Sequence, residues 1–414
     1  MTNPADDVLA RVHREEHSRL LASLVRRFGD LDLAEDAAQE AMEAAMVAWP
    51  AEGVPRQPLA WLITTSRRKA LDRVRRDATL ARRIAQLHLE TEHTTRAAED
   101  DALVGDDFPD ERLGMLMGCC HPAIAPADRI ALMLRFVGGL TTAEVAQALL
   151  LPVTTLQARI TRAKKRITAN RIPLVVPDDM VELERRLPLV LTAISLVFTE
   201  GYDATAGEHH MRTELTTEAI RLARITHTLL PDHAEPAGLL ALLLLTDART
   251  PARADCEGVP VPLADQDRTS WRGDLITEGT VLAEKAASMP GADRFTIQAA
   301  IAAVHAEARR FEDTDWDQIV ALYDLLLARR DDPVVRMNRA IAVAQPDEPE
   351  VGLRLLRALA DEPELGRHHP YHVAVALLLE ETGDPEGAMH SWQRALDLVG
   401  NRTQRRFIER RFEA

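Results

Sequence analysis

Strand signals are the plainest deficit of this 414-residue chain. Alternating runs of Val, Ile and Tyr do not occur, which argues against half-buried strands. Aromatic residues make up only 4% of the sequence, so Ala, Leu and Val must build the core. Three cysteines, Cys119, Cys120 and Cys256, are too few for a disulfide framework and point to a reducing compartment. Cys119, Cys120 and His121 make a poor metal site, because adjacent thiols share one zinc badly and no second Cys/His pair stands at finger spacing. Buried structural cysteines are the expectation there. His209-His210 and His368-His369 read as surface or helix-end residues rather than ligands. The longest apolar stretches, around Leu187–Phe198 and Ala237–Leu245, fall short of the ~20 residues that span a bilayer. The opening MTNPADDVLA has no basic segment ahead of an apolar run. A cytoplasmic setting without a membrane partner is therefore expected. Phosphate loops, G-x-S-x-G, H-E-x-x-H and Rossmann fingerprints are missing as well, so neither an enzyme nor a cofactor is expected.

Hydrophobic residues reach 46%, which rules out global disorder. The net charge of −15 is unevenly spread. Residues 1–76 carry 12 basic and 12 acidic side chains, and residues 77–109 carry 3 and 8. Residues 110–172 carry 9 and 4, and residues 173–414 carry 26 and 41. Arg56–Arg76 holds seven basic residues and one acid, Asp72, while Thr154–Arg171 holds six basic residues and no acid. Two compact basic segments thus sit in an acidic chain. Solvated helix faces would explain them, and so would a nucleic-acid partner, for which local clusters matter more than net charge.

Apolar residues recur at i, i+3 and i+4 almost everywhere, and the chain reads as all-α. A helix from about Leu33 to Trp49 sets Ala34, Ala38, Ala41, Ala45 and Trp49 on one face and Asp36, Gln39, Glu40 and Glu43 on the other. Pro50, Gly53 and Pro55 are expected to break it. A second helix runs from Pro58 to Arg76, with Leu59, Ile63, Ser66 and Ala70 as its buried stripe. Trp61 lies on that helix, either as a core residue or as a wedge that stacks on a base. Residues 77–109 read as an acidic linker, helical at most over Leu80–Leu89.

Residues 110–172 contain a two-helix signature. Gly138-Gly139 ends one helix; Thr141 or Thr142 can cap the next, with Glu144 at the capping-box position. That helix stops before Pro152. Thr154 or Thr155 is expected to cap a second one reaching about Ala169, with Leu156, Ile160, Ala163 and Ile167 as one apolar stripe. A short capped helix, a tight turn and a helix with a basic polar face make a helix-turn-helix. Pro173, Pro177 and Asp178-Asp179 mark a boundary, after which about ten helical segments follow. Arg249–Ser270 is the longest irregular stretch of that part. Helices near Trp316, Glu350 and Glu386, with partners such as Pro333–Ala344 and Pro370–Glu381, suggest a repeat of about 34 residues, the tetratricopeptide period. Ala388, Trp392 and Ala395 are placed as in the second helix of such a repeat.

At this point a resemblance enters. LAEDAAQEAMEAAMVAW (33–49) resembles region 2.2 of sigma-70-type transcription initiation factors, and PLAWLITTSRRKALDRVRR (58–76) resembles their regions 2.3 and 2.4. GLTTAEVAQALLLPVTTLQARITRAKKRI (139–167) resembles region 4.2. The short connection and the missing regions 1.1 and 3 are similar to the extracytoplasmic-function (ECF) class. MGCCHPAI and the long helical end resemble a subgroup with a tetratricopeptide-like extension. The resemblance implies a region 2 domain at 8–76, a linker at 77–109, a region 4 helix-turn-helix domain at 110–172 and a helical-repeat extension at 178–414.

It also implies roles. Asp36, Gln39, Glu40 and Glu43 would dock on core RNA polymerase, as a polar acidic ridge on a basic coiled coil. Arg67, Arg68, Lys69, Arg73, Arg75 and Arg76 would contact the −10 element and the melted strand. The family often has Asn where Arg68 stands. Thr154, Thr155, Gln157, Ala158 and Thr161 are the candidates for base edges and nearby phosphates of the −35 element. Arg159, Arg162, Lys165 and Arg166 suit phosphates. In the family the two elements lie about 17 base pairs apart, roughly 58 Å at 3.4 Å per pair. A linker of about 33 residues spans up to ~110 Å extended and roughly 30 Å as a relaxed coil, so it must be partly stretched on the polymerase. The expected partners are core RNA polymerase, promoter DNA and the chain's own C-terminal domain, with room for a protein or ligand on the repeats. A second reading remains open: a helical-repeat interaction protein with a DNA-binding head that regulates without replacing a sigma subunit.

Overall fold

The computed structural model describes residues 4–88, 111–149, 151–205, 207–345 and 347–413. Among them all the regular structure is helical, apart from two isolated bridges, Gly207–Asn401 and Ala254–Pro260. The chain forms two compact units, Met1–Ala193 and Ile194–Ala414.

The first unit opens with three mutually packed helices, α1 (Pro4–Phe28), α2 (Leu31–Glu52) and α3 (Pro58–His88). Gly29, at φ 67°, turns the chain between α1 and α2. Asp30 then caps α2, its Oδ1 accepting the N–H groups of Asp32 at 2.8 Å and Leu33 at 3.0 Å. The alanine face is buried as its spacing predicts: Ala34, Ala38, Ala41, Ala45 and Trp49 all lie inside. Alanines let neighbouring helices approach closely, and Trp49 closes the end of the face edge-on against Trp61, 5.7 Å between centroids. Trp61 itself is half-buried.

Two boundaries differ from the sequence expectation. Pro50 does not end α2; the helix continues to Glu52 and stops at Gly53, whose φ is 90° and whose N–H bonds to Trp49 O. A proline near a helix end forfeits a single backbone bond, which one exposed turn tolerates. α3 likewise runs past Arg76 to His88 without a break. Residues 89–110, most of the expected linker, lie outside the described residues. The deepest row on α3 is Leu62, Ser66 and Ala70, with Leu59 and Ile63 only half-buried at its flank.

The second half of this unit holds α4 (Glu111–Cys119), α5 (Pro126–Leu132), α6 (Thr142–Ala148) and α7 (Val153–Asn170). A π-helical stretch, Met133–Val137, continues α5 and ends at Gly138, followed by Gly139 at φ 67°. Cys119 and Cys120 are buried, and burial pushes both thiols above the ordinary range. After α7 the segment carrying Ile172 and Leu174 crosses α4 where Gly114 and Gly118 stand. A Cβ on Gly118 would come within 2.5 Å of the Leu174 backbone, so only glycine allows this crossing. The first compact unit therefore extends beyond the expected boundary at Pro173–Asp179, and its limit falls inside α8 (Met180–Tyr202). Within this unit Arg186 of α8 donates to Met117 O at 2.9 Å and pairs with Glu182 at 2.9 Å.

The second unit continues with α9 (Thr213–Leu229), α10 (Ala234–Asp247), α11 (Gly273–Ser288) and α12 (Arg294–Glu307). α10 is apolar all round because α9, α11 and α12 pack on it from different sides. Six further helices follow: α13 (Trp316–Arg329), α14 (Pro333–Val343), α15 (Pro349–Arg357), α16 (His369–Glu381), α17 (Pro385–Leu398) and α18 (Arg402–Glu413). Each packs on the next, and α13, α15 and α17 begin 33 and 36 residues apart, close to the period read from the sequence. Ala388, Trp392 and Ala395 are all buried on α17. One expectation is corrected here: His210 is not a surface residue but 5% exposed, because the connection after α8 folds back and Ala204 N–H bonds to its carbonyl.

Candidate nucleic-acid interface

The helix-turn-helix is built from α6 and α7. Its first helix carries a complete capping box: Thr141 N–H donates to Glu144 Oε2 at 2.6 Å, and Glu144 N–H donates to Thr141 Oγ1 at 3.3 Å. The start of the second helix differs from expectation. α7 begins at Val153 with Pro152 as its N-cap residue, and neither Thr154 nor Thr155 caps it. Pro152 holds the extended conformation required before a helix, which moves both threonines into the first turn. Leu156, Ile160, Ala163 and Ile167 are buried as one stripe.

The candidate −35 residues lie on the opposite side of α7. Thr154, Thr155, Gln157, Ala158, Thr161, Arg162, Lys165 and Arg166 are exposed, and Arg159 is half-buried. Thr161 Oγ1 turns back to Gln157 O at 2.9 Å. Arg162 stands 3.6 Å from Asp128, and Arg166 donates to Ala123 O at 3.0 Å. Gln157, in contrast, projects from the exposed face near the N-terminal end of α7, where a carboxamide can reach a base edge.

On α3 the six candidate −10 residues separate into two groups. Arg67 turns inward, donating to Ser23 Oγ of α1 at 3.0 Å with its Nε buried. Lys69 and Arg73 face α2, where Lys69 stands 3.9 Å from Glu40 and Arg73 stands 2.5 Å from Asp36. Arg68, Arg75 and Arg76 are exposed. Two of the docking candidates are therefore ion-paired to two of the DNA candidates, through half-exposed contacts of about 0–1 kcal/mol that a partner can replace. Gln39 and Glu43 remain on the exposed edge of α2, joined by a 3.2 Å hydrogen bond.

Four residues that the sequence reading did not single out tie the helix-turn-helix to the first three helices. Glu35 of α2 accepts from Lys164 of α7 and, at 3.1 Å, from Arg135 of the π-helical stretch. Lys164 also donates to Asp32 at 2.8 Å, and its ammonium lies 5.1 Å from the Phe136 ring centroid. Burial opposes the Lys164 charge, but the hydrogen bonds it donates to Asp32 and Glu35 outweigh it and raise the pKa above the ordinary lysine value. No linear signal marks this contact: Asp32 and Glu35 sit on the same helix as the docking candidates, and their basic partners lie about 100 residues away or more.

A helical domain with a basic helix, joined to a helix-turn-helix domain with a capped first helix and a basic second one, defines a DNA-binding protein of the initiation-factor type. Residues 13–79 match Sigma-70 region 2, and residues 115–167 match Sigma-70, region 4. Residues 186–287 match a family of unknown function. An uncharacterized protein of Rhizobium meliloti (strain 1021) is 39% identical over 388 residues, covering 94% of this chain and 91% of that protein. The ECF RNA polymerase sigma factor SigK of Mycobacterium ulcerans (strain Agy99) is 28% identical over 156 residues, covering 37% of this chain and 80% of that protein. No solved structure matches the chain. The chain belongs to the sigma-70 family of sigma factors, in the ECF class, and carries a C-terminal helical extension. Such factors are non-enzymatic and bind DNA to initiate transcription. No helix among the described residues is long and apolar enough to cross a membrane.

Proposed function

We propose that the chain binds core RNA polymerase, directs it to a defined promoter set and helps open the duplex, with α7 on the −35 element and α3 on the −10 element. The carrying observation is the exposed polar face of α7, with Gln157 unencumbered among basic residues above a fully buried apolar stripe. Run-off transcription with core polymerase and a selected promoter library is the test. Promoter-specific initiation is expected, and its absence would favour the regulator that does not replace a sigma subunit. Gln157→Ala should change base preference at one or two −35 positions by about 1–3 kcal/mol. An unchanged selection profile would remove Gln157 from base reading.

Docking uses the ridge of Asp36, Gln39, Glu40 and Glu43. Polymerase competes there with Lys69 and Arg73, so docking releases two basic residues toward DNA. Asp36→Arg with Glu40→Arg should weaken core binding by about tenfold or more, with helicity retained by circular dichroism. Normal co-purification with core polymerase would refute this placement of the docking surface.

In the packed form of the first unit α7 touches α2, whereas the two promoter elements lie roughly 58 Å apart along the duplex. Initiation therefore requires the Glu35 contacts to open. The 22 residues 89–110 can reach at most ~75 Å when fully extended, which is enough. In this reading the extension acts on this equilibrium as a scaffold. Removing the residues after Ala193 should lower promoter transcription; an increase would show that the extension inhibits instead. The helical array of the second unit also offers a surface for another polypeptide or a ligand.

A further inference from the structure

A cavity of about 450 Å³ lies within the second unit, in the size range of small-molecule sites. Its polar wall comes from the end of α8 and from the long connection between α10 and α11. Its apolar wall comes from α14, α16 and α18, with Ile341, Val373, Leu377, Phe407 and Ile408 on the lining.

The polar wall is incompletely satisfied. Among the described residues Arg249 has no carboxylate partner; its Nε is buried without a hydrogen bond, and its guanidinium faces the Trp271 ring at 5.5 Å. Arg253 lies over the Tyr202 ring at 3.5 Å and donates to the Tyr202 carbonyl, again with no carboxylate paired to it among the described residues. Two buried carboxamides stand beside them. Gln266, 8% exposed, donates through Nε2 to Val261 O at 2.9 Å, and Gln404, 7% exposed, donates through Nε2 to Asp203 Oδ1 at 2.5 Å. Those partners are acceptors, so the orientation of both amides is determined, and each leaves a buried Oε1 with no donor. His210 Nδ1 stands 3.2 Å from Asp203 Oδ1, and neither of its ring nitrogens has a hydrogen-bond partner among the described residues.

Each of these groups is costly as it stands. A guanidinium stays charged at any ordinary pH, and withdrawing it from water without a counter-ion is unfavourable. Buried acceptors without donors add to that cost. Natural interiors satisfy such groups, and several together on one cavity wall mark a place that something else completes. The acids nearby do not complete it: Asp203 accepts from Gln404, and Glu381 is exposed.

We propose that this cavity is a binding site for a small monocarboxylic acid with an apolar body, its carboxylate held by Arg249 and Arg253 and its body on the α16–α18 wall. A hydrogen-bond donor beside the carboxylate, as in an apolar α-amino acid, would meet the free Gln266 and Gln404 oxygens. The site is independent of the promoter-recognition reading and belongs to the extension alone.

The test uses the full chain and four probes of similar size at millimolar concentration: 3-phenylpropionate, L-phenylalanine, phenethylamine and 3-phenylpropanol. Calorimetric titration and thermal shift should show binding of one or both carboxylates, and none of the amine or the alcohol. Tighter binding of L-phenylalanine than of 3-phenylpropionate would identify the donor-bearing class; the reverse would identify the simple acid. Arg249→Gln should weaken the better probe by about tenfold or more, because a charge-assisted pair is lost. Val373→Trp, which fills the apolar side, should abolish binding while calorimetric unfolding shows an intact second unit. Equal binding of acid and alcohol, no binding of either acid, or binding insensitive to both substitutions would overturn the proposal.

Discussion

Replacing Glu35 by glutamine is expected to separate the helix-turn-helix from the first three helices. Glu35 receives both Lys164 and Arg135, and its side chain is only 25% exposed, while that of Lys164 is 13% exposed. Hydrogen bonds between charged groups contribute about 1.5–3 kcal/mol, so losing the carboxylate should shift the packed-to-open ratio by about tenfold to a hundredfold. Asp32 remains to hold Lys164, but it is largely exposed and offers a weaker anchor. Spin labels on cysteines placed at the exposed Val74 and Val153, with Cys256→Ser, would report the separation of α3 and α7. The distance distribution should move outward in the variant, and affinity for a promoter fragment spanning both elements should rise. An unchanged distribution would show that apolar packing of α1 against α4, rather than the Glu35 contacts, keeps the two parts together.

Trp392→Ala carries the largest expected loss of stability. Trp392 is the largest fully buried side chain of α17; it meets Phe407 edge-on at 6.3 Å and donates its Nε1–H to Glu380 at 2.7 Å. Deleting a buried tryptophan costs about 3–5 kcal/mol, from lost transfer energy and the cavity left behind. The exposed Glu380 carboxylate would also lose a donor. For a unit of this size such a loss lowers the melting temperature by roughly 10 °C, readable by calorimetry on the full chain. Trp392→Phe retains most of the area and should recover more than half of the loss. A cost below about 1 kcal/mol would mean that α16, α17 and α18 collapse onto the vacated space.

Fold class, helices and the exposed polar face of α7 were legible in the linear sequence because each follows from local periodicity. The alanine stripe of α2 and the Leu156–Ile167 stripe of α7 repeat at helical spacing, so burial of one side and exposure of Gln157 or Gln39 on the other required no tertiary knowledge. The Thr141–Glu144 capping box is equally local, since both partners lie within one turn. Three-dimensional packing decided the rest. Arg67 and Lys164 belong to basic runs in which every residue looks equivalent, yet one bonds to Ser23 and the other to Asp32 and Glu35, and only packing separates them from their exposed neighbours. Pro50 and Arg76 looked like ends because local rules assign helix limits, yet one exposed turn carries α2 on to Glu52 and α3 runs to His88. The cavity beside Arg249 was the least readable feature. Its wall combines residues near 203, 249, 266, 341, 373 and 404, an irregular loop supplies its arginines, and no periodicity records that five separate segments of chain will meet there.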